Sequence, residues 1–410
     1  MGTLFGTQRL SKLKRSASLP EEGRNGETAD VRLAVKRLTL TDFRCYGHLR
    51  LDVDPGPVVL TGPNGAGKTN LLEAISFLAP GRGLRRARLG EAARSRDAGG
   101  DGSWAVAARA LTRTGTVDIG TGFEVPGAAG GHEQRLIRID GEPIKRQARL
   151  AEDLSVHWLT PQMDRLFVEG ALARRRFLDR LVFGRDPAHA RRVNAYDQAL
   201  RERARLLKEN TSPDSAWLTA LEDTMATHGV AVAAARVDLA HRLDNTCAEG
   251  FDFFPGAGVT VEGELEEWLS DGPALACEDR FRERLAANRG RDASERRTAT
   301  GPHRSDLRVH HRTKDQAAEM CSTGEQKALL VALVLGNAKM RADEHGAVPV
   351  LLLDEIAAHL DVDRRAALFD AVVALGAQVW MAGTDRMLFE PLFGRAQFFR
   401  VEDATVTVDR

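Results

Sequence analysis

The chain has 410 residues, 43% of them hydrophobic, with 58 basic and 58 acidic side chains and a formal net charge of zero. That is enough apolar material for two or three packed lobes, and the balanced charge removes a protein-wide positive field as a way of attracting nucleic acid, so any such binding must rest on local patches. No run of about 18 apolar residues occurs, which argues against a membrane span. The four cysteines (Cys45, Cys247, Cys277 and Cys321) contain no CxxC pair, which argues against zinc and a disulfide framework and fits a reducing cytoplasm.

Residues 1–30 are rich in Gly, Ser, Arg and Glu, show no period and lack the apolar core of a signal peptide; they read as a disordered tail. Alternation from Val35 to Leu40 and from His48 to Val53 predicts two strands. Pro57 to Leu60 is a short apolar strand, and Leu71, Leu72, Ile75 and Leu78 share one helical face just after it. Trp104–Leu111, Thr116–Gly120 and Arg135–Ile139 read as antiparallel strands, with Gly127–Gly131 a loose loop and Asp140-Gly141 a hairpin turn. From Gly170 to Ala248 the chain turns helical, in helices that look too short and irregular for the sustained heptads of a long coiled coil. Residues 250–277 give no clear reading, and the basic stretch Asn288–Thr300 reads as a link. The last third returns to α/β character, with helices at Gly324–Arg341 and Asp363–Leu375 and strands at Val348–Leu353 and Gln378–Ala382.

Between the first apolar strand and its helix lies Gly62-Pro63-Asn64-Gly65-Ala66-Gly67-Lys68-Thr69-Asn70, which matches the GxxxxGK[ST] phosphate loop. Its glycines let backbone N–H groups surround the phosphates of ATP, and the following helix N-terminus adds its positive dipole end. Lys68 would reach the β- and γ-phosphates, and the Thr69 hydroxyl would hold Mg2+. Strand, lysine, threonine and helix together leave little room for a chance Gly-rich turn. Leu351-Leu352-Leu353-Asp354-Glu355 is a buried strand that ends in two carboxylates, where α/β sheets hold their ligands. Asp354 is placed to bind Mg2+ through water, and Glu355 to orient or deprotonate an attacking water.

About thirty residues upstream of those acids, Cys321-Ser322-Thr323-Gly324-Glu325-Gln326 opens a helix. A capping box accounts for Ser322 and Glu325 on their own. In this order and spacing the segment resembles the ABC signature, with Thr323 in place of the usual first glycine. In ABC ATPases this loop closes over the γ-phosphate held by a partner's phosphate loop, so Ser322 and Gly324 would act across a head-to-tail, ATP-dependent homodimer. Asp361, in Ala357-Ala358-His359-Leu360-Asp361, resembles the D-loop acid and suits a helix N-cap equally well. Gln162 stands near where ABC heads place a magnesium-sensing glutamine, and an exposed loop glutamine reads equally well there.

Transporter heads carry a histidine at the end of the next strand, whereas this chain has Gly383-Thr384-Asp385. Nearly the whole chain from Val35 instead resembles the RecF family. The blocks that carry the likeness are Leu38-Thr39-Leu40-Thr41-Asp42-Phe43-Arg44-Cys45-Tyr46, the loop through Ile75, Arg174-Arg175-Arg176-Phe177-Leu178-Asp179, Gly301-Pro302-His303-Arg304-Ser305-Asp306 and Ser322-Thr323-Gly324-Glu325-Gln326-Lys327. The implied fold is an ABC-type P-loop ATPase head of the α/β class, with an antiparallel β-subdomain and an inserted helical second lobe: 31–169 and 301–410 forming the head, 170–300 the helical lobe. The implied role is to bind gapped or single-strand/double-strand DNA and help load RecA, through RecR and RecO, with slow, DNA-stimulated ATP hydrolysis driving release. A transporter ATPase subunit and an SMC-type structural chromosome protein are the rival readings. Arg85, Arg86 and Arg88, in a cluster extending from Arg82 to Arg96, are candidate DNA contacts; Arg174–Arg176 and Arg191-Arg192 are further basic candidates. No base-reading motif is present, so shape and backbone recognition are expected.

Overall fold

The computed structural model describes residues 32–125, 134–209 and 214–409. The tail 1–30 and the loop Gly127–Gly131 lie outside the described residues. Strands β1 (Ala34–Phe43) and β2 (Tyr46–Asp52) form a hairpin. β1 pairs on its other side with β4 (Trp104–Thr112), which continues through β5 (Gly115–Phe123), β6 (Arg135–Ile139) and the two-residue β7 (Glu142–Pro143), completing an antiparallel sheet of order β2-β1-β4-β5-β6-β7. Asp140 and Gly141 join β6 to β7 with φ of 50° and 85°, the left-handed pair that a tight hairpin turn requires.

The second sheet holds β3 (Val58–Thr61), β8 (Val156–Leu159), β12 (Val350–Asp354), β13 (Val379–Gly383), β14 (Gln397–Glu402) and β15 (Thr405–Val408), in the order β15-β14-β3-β13-β12-β8. Only the β14–β15 pairing is antiparallel. Every residue of β3, β8, β12 and β13 is buried, because both faces of this sheet are covered, and continuous apolar runs are what such strands need. Helix α1 (Lys68–Ser76) is clamped between the two sheets. Its Leu71, Leu72 and Ile75 meet Leu38 and Leu40 of β1 on one side and Leu60, Leu352 and Trp380 on the other. Leu351, Leu353, Val379 and Met381 point to the opposite face, into a core shared with the later helices of the head.

After the short α2 (Leu150–Asp153) and β8 come α3 (Ala171–Phe183), α4 (His189–Glu209) and α5 (Ser215–Thr246). The expectation of short, irregular helices is corrected here: α5 runs for 32 residues. Its buried residues include Glu222, Met225, Gly229, Val232, Arg236, Leu239 and Leu243, spaced alternately by three and four as in a helical seam. The unread stretch 250–277 contains β9 (Ala257–Glu262), α6 (Glu264–Asp271) and the start of α7 (Ala274–Ala287), and the basic stretch after it holds α8 (Arg289–Glu295). β9 pairs with β10 (Asp306–His311), which pairs with β11 (Gln316–Ala317), so a three-stranded sheet crosses the position-300 boundary. Helices α9 (Thr323–His345) and α10 (Val362–Ala374) complete the head. No helix among the described residues is long and apolar enough to cross a membrane.

Candidate nucleotide site

Register in the parallel sheet sets the site. Thr61 of β3 lies opposite Gly383 of β13, Ala382 opposite Asp354 of β12, and Leu353 opposite Leu159 of β8. The carboxyl ends of four adjacent strands therefore share one edge, the position where such sheets bind ligands. From that edge emerge the loop 62–67, the Asp354-Glu355 pair, Gly383-Thr384-Asp385 and the turn that carries Gln162.

The loop follows from its glycines. Gly62 has φ of 142°, and a Cβ there would meet the Val401 carbonyl of β14 at 2.1 Å; at Gly67, φ is 114° and a Cβ would strike Tyr46 Oη at 2.6 Å. Side chains are excluded at both positions. Tyr46 Oη donates to the Gly67 carbonyl (3.2 Å), bracing the turn from the hairpin side. Gly67 is the N-cap of α1 and makes no side-chain cap bond, and no acidic residue lies in the first turn; such an end, with its dipole, suits an anion. Lys68 is buried (5% exposed), with Nζ donating to the Gly62 and Pro63 carbonyls at 2.7 and 2.8 Å. Burial lowers its pKa, while Glu355 and Asp354 act in the opposite sense.

Thr69 Oγ1 donates to Asp354 Oδ1 at 3.0 Å, across 285 positions of sequence. Burial raises the Asp354 carboxyl above its ordinary value, and the Thr69 bond works against that rise. A hydroxyl and a carboxylate held together at a phosphate loop form the small oxygen donor set that a magnesium ion takes from protein when phosphates supply the rest. Glu355, next along, has φ of 53°, left-handed for a non-glycine residue, and its N–H donates to the Ala382 carbonyl (3.0 Å). That strained backbone is held where the strand ends.

Gln162 is exposed in the turn Pro161–Arg165 after β8. Its neighbour Asp164 receives Lys327 Nζ from α9 at 2.9 Å, although Lys327 is only 4% exposed. The signature segment forms the capping box: Glu325 N–H donates to Ser322 Oγ (3.4 Å), and Ser322 N–H to Glu325 Oε2 (2.9 Å). Asp361 N-caps α10 by accepting from Arg364 N–H (2.8 Å), and the Arg364 guanidinium reaches back to the Gly324 carbonyl (3.3 Å). Signature and D-loop segments are thus clasped to each other. No hydrogen bond or ion pair among the described residues joins Ser322 or Gly324 to the loop 62–70.

The arginine candidates divide. All three of Arg85, Arg86 and Arg88 are exposed, but Arg85 is engaged, donating to Asn70 Oδ1 (2.9 Å) and Glu73 Oε2 (3.3 Å). Arg174 is buried and forked onto Asp306 (2.7 and 2.8 Å); it is a structural cation, which corrects its reading as a surface contact. Sequence reasoning assigned no role to Glu73, wholly buried on α1 and gripped by Arg44 at 2.7 and 2.8 Å. Arg44 and Tyr46 both fall in the block ending at Tyr46, and that block was the available signal.

The chain matches the family model for the RecF/RecN/SMC N terminal domain over residues 34–402. It is 51% identical to the DNA replication and repair protein RecF of Mesorhizobium japonicum over 374 residues, covering 91% of this chain and 97% of that protein. It is 49% identical to the protein of the same name from Rhizobium meliloti, covering 90% and 98%. A solved structure described as the recombination mediator protein RecF-ATP in RecFOR pathway shares the fold with a TM-score of 0.80 at 20% identity, covering 94% of this chain and 100% of that one. On the length and the identity of these matches, the chain belongs to the RecF family.

Proposed function

We propose that the chain is an ATP-binding protein of DNA replication, recombination and repair in the cytoplasm, which closes into a homodimer on ATP, holds gapped or single-strand/double-strand DNA, helps load RecA with RecR and RecO, and lets go as ATP is slowly hydrolysed. The observation that carries this reading is the bridge from Thr69 to Asp354 at the mouth of the loop 62–67. The family relatives named for DNA replication and repair support it.

Residues Gly62 to Asn70 wrap the phosphates, with Lys68 as the point charge on the β- and γ-groups. Thr69 and Asp354 would hold a magnesium ion, with Gln162 approaching from the β8 turn, and such an ion neutralises phosphate charge when bound. Glu355 holds the attacking water and takes its proton. Ser322, Gly324 and Asp361 face the partner's nucleotide. DNA phosphates fall to the arginines of the loop after α1, with Arg85, Arg86 and Arg88 as first candidates. The test is binding of labelled gapped, single-stranded and duplex DNA with and without ATP. Tighter binding of gapped DNA in the presence of ATP is expected; ATP-independent binding with no preference for structure would end this reading.

A further inference from the structure

Helix α4 is fastened to the helical lobe by its inner face. Tyr196, Ala199, Arg203 and Leu206 are buried there, at the three- and four-residue spacing of one helical side. Tyr196 and Ala199 share a core with Met225 of α5 and Phe281 of α7. Arg203, wholly buried, donates to Glu222 of α5 (3.0 Å), to Asp292 of α8 (2.7 Å) and to the Leu285 carbonyl of α7 (2.7 Å). One guanidinium thus bonds to three other helices, so α4 is held against rolling and its outer face is displayed in one orientation.

On that outer face Arg191, Asn194, Gln198, Arg201, Arg205 and Lys208 are all exposed. They recur at alternating intervals of three and four, which at 3.6 residues per turn keeps them within an arc of about 100° along a line of about 26 Å. From Arg191 to Lys208 this arc carries four cations, two amides and no acid, and Glu209 ends the helix just beyond it. Two acids flank the line: Glu202 accepts from Arg205 (2.8 and 3.2 Å), and Asp197 is half-buried one turn before Arg201. Arg192, next to Arg191 in sequence, turns away to Asp186. Among the described residues Arg191, Arg201 and Lys208 make no ion pair or side-chain hydrogen bond. By contrast, Arg242 on α5, Arg282 on α7 and Arg291 on α8 each hold a carboxylate at 3.0 Å or less. In a chain with equal numbers of basic and acidic residues, cations left without partners along one line keep their charge for a ligand.

We infer that the outer face of α4, from Arg191 to Lys208, is a track for the sugar–phosphate backbone of DNA. The track rests on the DNA-binding reading above and deepens it, adding to the loop after α1 a surface on the helical lobe. One strand of B-form DNA advances about 3.4 Å per nucleotide, so the line is roughly as long as seven or eight phosphates. Guanidinium, ammonium and amide groups are the side chains that donate to phosphate oxygens. None of the six exposed positions holds an aromatic or aliphatic side chain, and a protein partner needs such anchors at the centre of its interface. A line of donors suits instead a polyanion whose charge repeats along one axis.

The test uses the full chain with Arg191→Gln, Arg201→Gln and Lys208→Gln combined. Labelled gapped DNA is titrated at saturating ATP over a series of salt concentrations. Each DNA phosphate that the protein no longer neutralises flattens the slope of log affinity against log salt by about one unit. A drop of roughly two to three is therefore expected for this variant, with affinity at least about ten-fold weaker. ATP affinity and the thermal midpoint should match the wild type, because the three side chains are exposed and bond to nothing among the described residues. A second variant, Arg191→Lys with Arg201→Lys, keeps the charge and should keep the slope; a loss there would mean that charge is not what the face supplies, and would overturn the track. The control combines Arg242→Gln, Arg282→Gln and Arg291→Gln, removing three paired cations from the same lobe, and should leave the slope unchanged. An equal drop in the control would assign the effect to net charge and overturn the track. An unchanged slope in the track variant, with wild-type protein binding DNA normally, would also overturn it, leaving the DNA-binding reading standing and this face to an acidic protein partner. Failure of the wild type to bind any DNA would remove that reading, and the track with it.

Discussion

At the scale of single residues, His303 shows how a motif block becomes a physical device. Its Nδ1 lies 2.6 Å from Tyr196 Oη and its Nε2 lies 3.1 Å from the Thr298 carbonyl. A carbonyl only accepts, so Nε2 carries the proton and Nδ1 accepts from the phenol. The neutral ring is fully satisfied, and a second proton would set two donors against each other. Burial, with Arg304, Arg175 and Arg236 nearby, brings the pKa down to about 4, against the pull of the Thr298 carbonyl. A folded pKa below the unfolded one means that the unfolded chain takes up protons first as pH falls. The stability this histidine contributes is therefore complete above about pH 6.5 and is lost on the way down towards pH 4, a change on the order of 1–3 kcal/mol. Denaturant midpoints measured down that range should fall, and His303→Gln, whose amide can accept from Tyr196 and donate to Thr298, should flatten part of the decline. His157, wholly buried and also held neutral, keeps the rest. An unaltered acid limb in His303→Gln would show that the ring does not titrate in this window. The same residues mark what a sequence discloses at this scale. Lys68, Thr69, Asp354 and Glu355 were legible because each sits in a short contiguous pattern with its chemistry attached. The grips of Arg44 on Glu73 and of Arg174 on Asp306 were not, since each joins segments 29 and 132 positions apart, and nothing local says which arginine is paired and which is free.

Among the elements, α1 depends on a side chain from a different sheet. Its last turn and the loop beyond it leave carbonyls at Phe77, Ala79 and Gly81, and all three accept from the single guanidinium of Arg135 on β6. Burial lowers the Arg135 pKa to about 9, so this cation is held by carbonyl dipoles rather than by an acid. Arg135→Met keeps much of the bulk and leaves the three acceptors without a donor. It should destabilise the chain by about 2–4 kcal/mol in urea unfolding, and Arg135→Lys should recover only part of that, because an ammonium cannot span the fork. A loss under about 0.5 kcal/mol would mean that water satisfies those carbonyls and the cap is incidental. The strands of the head were readable from sequence because their burial is either strictly alternating, as in Trp104–Thr112, or complete, as in Val350–Asp354. The length and seam of α5 were hidden for a physical reason. Three of its seam positions are Glu222, Gly229 and Arg236, which an apolar period does not count. Glu222 is neutralised by Arg203 and Arg289, and Arg236 by Asp179, while Gly229 lets Tyr196 and Phe281 approach. Buried ion pairs have replaced part of the hydrophobic stripe.

For the whole molecule, the question is whether the signature segment works within the chain or across two chains, and the structure supplies the means to separate the two. Within the chain, Ser322 caps α9, and its loss should cost about 1 kcal/mol; the rest of the segment stays anchored by Lys314 on Glu325 and by Arg364 on the Gly324 carbonyl. Ser322→Ala therefore removes the cap while leaving the surface nearly unchanged. Ser322→Arg removes the same cap and adds a long cation where, on our reading, a partner's nucleotide must close. Equal destabilisation of the two monomers, measured by thermal unfolding without nucleotide, establishes that any further difference is intermolecular. With ATP and Mg2+, sedimentation should then show Ser322→Ala still forming dimers and Ser322→Arg remaining monomeric, at unchanged ATP affinity, because among the described residues no bond joins Ser322 to its own loop 62–70. Exposed hydrophobic side chains at Met320 and Val362, 70% and 68% exposed on either side of the clasp, are the surface such closure would cover. If Ser322→Arg dimerises as well as Ser322→Ala does, the capping box is the whole role of this segment, and the two-headed arrangement proposed for ATP has to be rebuilt on other residues.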